Sequence, residues 1–105
     1  MRSSASYVRE QVFKRDRGVC AVCGSDTMAL GRSLRRLPWH ARKRRCNELG
    51  IPYRRYRSPW DADHITAVVE GGGQCSLVNF RTLCIPCHRR ATRELLARRR
   101  ILQQQ

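Results

Sequence analysis

Two Cys-x-x-Cys pairs, Cys20-Ala-Val-Cys23 and Cys84-Ile-Pro-Cys87, are the strongest chemical signal in the chain. A two-residue gap lets both thiolates of a turn face inward, and two such turns supply the four sulfurs of a tetrahedral zinc ion. Four thiolates leave no open coordination position, so that ion would be structural. Gly24, directly after Cys23, suits a tight turn with positive φ. Two disulfides or buried free thiols are the alternative reading; a basic chain with no secretory start disfavours disulfides. Cys46 and Cys75 stand apart and read as buried or free thiols.

A polar set lies within this frame: Asp63-His64, then Asn79, then His88 directly after Cys87. Asp63 can bind a hard divalent cation through oxygen, and His64 has the basicity to take a proton near neutral pH. His88 opens the segment after the second cysteine pair, so a metal there would fix its position. Adjacent strand residues face opposite sides, so Asp63 and His64 share a site only if a strand ends or bulges there.

These residues need elements to hold them. Residues 6–17 read as a short helix, with Val8, Val12 and Phe13 on one side and arginines elsewhere. Residues 25–59 carry ten Lys/Arg against only Asp26 and Glu48. Pro38, Gly50, Pro52 and Pro59 cut that stretch into pieces of helix and loop without strong periodicity. Trp60 to Val69 reads as a strand or hairpin arm, and Gly71-Gly72-Gly73 as a flexible loop. Ser76 suits the cap of a turn containing Leu77, Asn79 and Phe80. A helix is expected from about Pro86 to Leu102, with Ala91, Leu95 and Leu102 on one face.

Composition limits the class of function. The 105 residues hold 22 Lys+Arg against 8 Asp+Glu, a formal net charge of +14. That excess favours a polyanionic partner, above all nucleic acid, because each cation set against a phosphate releases counterions. No apolar run approaches the ~18 residues of a membrane span. The first residues lack the apolar stretch of a secretory signal, so an intracellular setting is expected, either the cytoplasm of a prokaryote or the nucleus of a eukaryote.

In order along the chain, Asp63-His64-Ile65, Gly71-Gly72-Gly73, Leu77-Val78-Asn79-Phe80 and Leu83-Cys84-Ile85-Pro86-Cys87-His88 resemble the His-Asn-His (HNH) endonuclease pattern. Val12-Phe13-Lys14-Arg15-Asp16-Arg17-Gly18-Val19-Cys20 is similar to the segment carrying the first zinc knuckle in four-cysteine members. The likeness covers roughly residues 1–24 and 60–95; residues 25–59 exceed the usual link between knuckles. It implies a small α+β chain with a ββα-metal (His-Me finger) fold, stapled by zinc on Cys20, Cys23, Cys84 and Cys87. The chain then forms one domain, residues 1–105. An N-terminal helix and knuckle occupy 1–24, a basic insertion 25–59, and the ββα-metal core 60–105.

The resemblance also implies roles. His64 is the general base that deprotonates water, Asp63 and His88 hold one Mg²⁺ or Mn²⁺, and Asn79 orients the loop near His64. Arg89, Arg90 and Arg93 grip phosphate near the site, with Arg44 and Arg45 among the arginines that contact DNA farther away. The implied activity is DNA phosphodiester hydrolysis, nicking or cutting, with 5′-phosphate and 3′-hydroxyl products. Branched or forked DNA and a larger helicase-like or phage DNA-processing assembly are within the range of such chains; a membrane is not. Against this stand a non-catalytic zinc-stabilised DNA-binding module and an RNA-binding zinc ribbon. In those readings Asp63 merely pairs with an arginine, Asn79 merely turns the chain, and His88 merely flanks or joins the knuckle. His40 has no partner pattern and reads as surface or packing. Trp39, Tyr53, Tyr56 and Trp60, set among the charges, read either as stacking platforms for bases or as core.

Overall fold

The computed structural model describes residues 5–66 and 77–104. The described elements run α1 (Ala5–Asp16), α2 (Thr27–Arg35), α3 (Trp39–Leu49), β1 (Trp60–His64), β2 (Phe80–Cys84) and α4 (Ile85–Gln103). Single 3-10 turns at Tyr53–Arg55 and Leu77–Asn79 lead into the two strands. The glycine run at 71–73, Cys75, Ser76 and the strand reading beyond Thr66 lie outside the described residues.

β1 and β2 pair antiparallel, with Trp60 opposite Cys84, Ala62 opposite Thr82, and His64 opposite Phe80. Directly opposed residues share a face, so the ribbon has two distinct sides. One side carries Trp60, Ala62 and Phe80, and α1 closes over it. Val12, Trp60 and Phe80 are buried there, packed by Val8, Phe13, Met28 and Ala62. The helix expected over 6–17 therefore uses the apolar side read from its sequence. The other side of the ribbon carries Asp61, Asp63, Arg81 and Leu83, and α4 crosses it; Leu83 is fully buried among Cys20, Cys84, Cys87 and Ala91.

Two expectations change. The turn at 77–79 stops at Asn79, and Phe80 opens β2 instead of completing the turn. Residues 80–84 run straight into the second cysteine pair, which masked the strand. β1 ends at His64, and Ile65 and Thr66 already lie outside the strand. Residues 25–59, expected as pieces of helix and loop, form α2, α3 and the 3-10 turn at Tyr53–Arg55 with loops between them. Asp26 caps α2, its carboxylate accepting from the Met28 and Ala29 amides at 3.1 Å. Gly50 ends α3 at φ 74°, a left-handed cap that suits glycine. α3 buries little of itself besides Cys46, so its arginines conceal the face that packs. Leu34, Cys46, Ile51 and Ile85 form the cluster that seats the insertion against the start of α4.

No loop separates β2 from α4: Cys84 is both the last strand residue and the helix N-cap, and Pro86 lies in the first turn, where a missing N–H costs little. This direct junction carries Cys84, Cys87 and His88 on one rigid piece of backbone. Toward its far end α4 emerges from the body, and Leu102 is exposed rather than packed with Ala91.

Candidate functional site

The two knuckles meet. The metal-binding atoms of Cys20, Cys23, Cys84 and Cys87 all lie within 4.8 Å of one another. Cys23 Sγ is 3.7 Å from Cys84 Sγ. A tetrahedron with zinc–sulfur arms of about 2.3 Å has edges of about 3.8 Å, so the spacing suits that ion. The first knuckle is held in place by backbone bonds: Gly24 N–H to Cys20 O at 3.0 Å, Cys20 N–H to Ser25 O at 2.9 Å, and Ala21 N–H to Thr82 O of β2 at 2.9 Å. Gly24 has φ 75°, the conformation its position in the knuckle requires. Burial pushes the Cys20 thiol up, but the amides of Cys23, Cys84 and Val22 outweigh it and bring the thiol to about 6. Burial holds the Cys84 and Cys87 thiols above their ordinary range. Cys46 lies apart, buried under α2 in an apolar cluster, and Cys75 is outside the described residues.

Next to this centre, α4 sets His88 over the Asp61/Asp63 side of the ribbon. His88 Nε2 is 3.6 Å from Asp63 Oδ1, and His88 Nδ1 is 2.9 Å from Asp61 Oδ2. Asp61 also accepts from Arg55 Nη2 at 2.8 Å and faces Arg9 Nη1 at 3.8 Å. Burial pushes the Asp61 carboxyl up, but the Arg55 hydrogen bond and charge, with His88, hold it below the ordinary value. An ionised carboxylate only accepts, so Nδ1 of His88 carries the shared hydrogen. In the neutral ring the Nε2 lone pair is then left for the side where Asp63 stands. A histidine ligand whose second nitrogen donates to a carboxylate is the common arrangement around protein-bound metals. One oxygen and one nitrogen donor, 3.6 Å apart and both only part-buried, fit a divalent ion that keeps water among its ligands.

His64 occupies the last position of β1 and, by register, the other side of the ribbon from Asp63. Its ring lies 4.3 Å from that of Phe80, and its Nε2 is buried without a hydrogen-bond partner among the described residues. The chain turns immediately beyond it. Asn79 fixes that turn from across the ribbon, accepting from Thr66 N–H at 2.9 Å and donating to Thr66 O at 3.0 Å. The Ile65 amide adds a bond to Asn79 O at 2.7 Å. The strand thus ends at His64, with its ring packed on Phe80 on the opposite side of the ribbon from Asp63. Arg15 secures the turn that carries Asn79, donating to Leu77 O at 3.0 Å and Phe80 O at 2.7 Å while it pairs with Asp16.

The remaining arginines divide by what they touch. Arg90 and Arg93 are exposed on α4, and Arg89 donates to Gly50 O at 3.0 Å. Arg44 is exposed on α3, whereas Arg45 pairs with Glu48 at 3.0 Å. Arg42 is structural: it donates to the carbonyls of Leu34, Arg35 and Leu37 and lies over the Tyr56 ring. Asp61, Arg9 and Arg15 were not singled out from sequence, and Arg55, read there as a candidate DNA contact, pairs with Asp61 instead. The available signal was the Asp61-x-Asp63 spacing, which places two carboxylates on one face of a strand.

Residues 44–94 match the HNH endonuclease family. The crystal structure of the human ZRANB3 HNH domain superposes with a TM-score of 0.74 at 33% identity, covering 95% of this chain and 96% of that one. The chain belongs to the HNH endonuclease family. The DNA annealing helicase and endonuclease ZRANB3 of Mus musculus is 41% identical over 104 residues, and that of Homo sapiens 36% over 110. Each alignment takes in 88% of this chain and 10% of the relative, so this HNH chain spans about a tenth of those proteins' length. The insertion at 25–59 belongs to the shared domain, since the likeness to the solved HNH domain extends over nearly the whole chain. Among the described residues, no helix is long and apolar enough to cross a membrane.

Proposed function

We propose that this HNH chain is one nuclease domain that hydrolyses DNA phosphodiester bonds with a divalent metal ion, leaving 5′-phosphate and 3′-hydroxyl ends. The observation that carries the reading is the convergence of His88 Nε2 and Asp63 Oδ1 at 3.6 Å beside a strand that ends at His64. Cys20, Cys23, Cys84 and Cys87 hold a structural zinc, which locks the β2–α4 junction and with it His88. Asp63 and His88 hold Mg²⁺ or Mn²⁺. That ion, when bound, offsets negative charge on the phosphate and on the departing 3′ oxygen.

The chain's own groups do the rest. His64, at the strand end, accepts the proton of the attacking water. Asn79 holds the 65–66 turn so that the imidazole stays at the end of the ribbon. Asp61 orients His88. Arg90 and Arg93, exposed one turn and two turns along α4 from the knuckle, neutralise flanking phosphates, as does Arg44 from the insertion. The net charge of +14 suits a DNA partner. Branched or forked DNA and attachment to a helicase-like assembly fit the ZRANB3 likeness.

End mapping tests the chemistry. A nicked product made in Mg²⁺ should be resealed by DNA ligase without prior phosphatase or kinase treatment. Products that cannot be ligated until a 3′-phosphate is removed would overturn the assignment. Tight DNA binding with no cleavage under Mg²⁺ or Mn²⁺ would leave the zinc-stabilised binding module as the function.

A further inference from the structure

The two tryptophans have opposite fates. Trp60 is buried in the α1 core at 4% exposure, whereas Trp39, the first residue of α3, is 64% exposed. Trp39 is not a lone surface residue: it stands at the rim of a cleft of about 620 Å³. Trp39, Lys43 and Asn47, spaced four residues apart along one side of α3, line it together with Arg44, Ile51 and Tyr53. His40 sets its ring edge-on to the Trp39 indole, 6.1 Å between centroids. A volume of this size lies within the range of about 300–1,000 Å³ seen for pockets that take small organic groups.

The charges in the cleft have one sign. No carboxylate lines it; Glu48, the acid of α3, pairs with Arg45, and Arg42 turns inward to the α2 carbonyls. Among the described residues, neither Lys43 nor Arg44 has a carboxylate partner within ion-pair distance. The cleft thus joins an exposed aromatic face, two cations and one amide side chain. An anionic ligand with a flat aromatic part satisfies all three. Duplex DNA offers phosphates but keeps its base faces stacked inside, so only an unpaired nucleotide presents both parts to such a wall.

The cleft is tied to the start of α4. Ile51 shares an apolar cluster with Ile85, less than one helical turn before His88, and Arg89, directly after His88, donates to Gly50 O at 3.0 Å. We infer that the Trp39 cleft is a second nucleic-acid site, in which an unpaired nucleobase stacks on Trp39 while Lys43 and Arg44 hold its flanking phosphates. The inference rests on the DNA reading above and adds single-stranded DNA to the ligands of the domain.

Binding of twelve-residue oligothymidylate and of a matched duplex to the whole chain in EDTA tests it, with Trp39→Ala, Trp39→Phe and Lys43→Gln/Arg44→Gln. Oligothymidylate should quench tryptophan emission, since the exposed indole is the one in contact. Trp39→Ala should weaken single-strand binding about 5- to 150-fold, the worth of one base–aromatic stack, and at least fivefold more than duplex binding. Trp39→Phe should restore most of the loss. Removing both cations should reduce the single-strand salt slope by about 1.4. Equal losses on single strand and duplex, or wild-type single-strand affinity in a folded Trp39→Ala chain, would overturn the cleft while leaving nuclease activity in place. Absence of binding to either DNA would overturn the DNA reading and the cleft together.

Discussion

Asp61 Oδ2 lies 2.9 Å from His88 Nδ1, so the histidine that faces Asp63 is oriented by a carboxylate on the same strand, two residues earlier. The bond links the ribbon to α4 at His88, one of the two residues proposed to hold the divalent ion. Arg55 and Arg9 in turn hold Asp61, so part of the basic charge of the chain supports the site without touching a substrate.

Asp61→Asn should therefore damage catalysis more than folding. The amide keeps the size of the side chain but loses the charge that fixes the His88 tautomer. Divalent-ion affinity or kcat should fall about 10- to 100-fold, the usual cost of losing such a partner. Saturating Mn²⁺ should recover part of the loss. A metal titration of cleavage identical to wild type would contradict the role.

Asn79→Ala removes two hydrogen bonds to Thr66, at 2.9 and 3.0 Å. With two bonds worth about 0.5–1.5 kcal/mol each, a stability loss of about 1–3 kcal/mol is expected in urea unfolding. Cleavage measured well below the unfolding transition should fall at least tenfold, because the turn after His64 is no longer held. Full activity in the folded variant would reduce Asn79 to a turn residue.

The zinc staple predicts one tightly bound zinc per chain by elemental analysis. Cys84→Ser should lower zinc content and unfold the β2–α4 junction, because that residue is ligand, strand end and helix cap together. Chelator treatment should reduce helical circular dichroism, with recovery on adding zinc back. A metal-free chain with unchanged spectrum and melting temperature would show that apolar packing alone suffices.

Acid sensitivity has a defined origin at Asp16. The Arg15 hydrogen bond holds its carboxyl below the ordinary range; burial opposes this, and Thr82 adds a second bond at 3.0 Å. A lowered folded value means the contribution is complete above the ordinary carboxylate value, about 4, and is lost as pH falls through the lowered one. Asp16→Asn should cost about 1–2 kcal/mol at neutral pH. The gap between variant and wild type in urea unfolding should hold from pH 7 to 5 and shrink below about pH 4. A gap that does not change with pH would assign the effect to packing.

The cysteine pairs, α1, β1 and the start of α4 were legible because spacing and periodicity carry them. α3 was not: its sequence, Trp39 to Leu49, buries Cys46 and leaves its arginines outside, so the packing face has almost no pattern. Asp61 was hidden for a related reason. One acid in a chain of 22 Lys+Arg reads as a surface ion pair until the strand register places it beside Asp63 and beneath His88. Trp39 and Trp60 could not be told apart by type, since the cluster of Val12 and Phe80 that buries Trp60 is formed by residues distant in sequence. Asp63, His64, Asn79 and His88 could be singled out in advance, but the strand end at His64 and the bonds from Asn79 to Thr66 are visible only in the fold.

Nicking of supercoiled plasmid by the zinc-loaded chain, in Mg²⁺, Mn²⁺ or EDTA, tests the central claim most directly when wild type and His64→Ala are compared. Both proteins should bind DNA and contain zinc. The account predicts metal-dependent nicking by wild type, none in EDTA, and a loss of at least a hundredfold in His64→Ala, in line with removal of a general base. Nicking that persists in EDTA, or a folded His64→Ala chain that cuts like wild type, would contradict it.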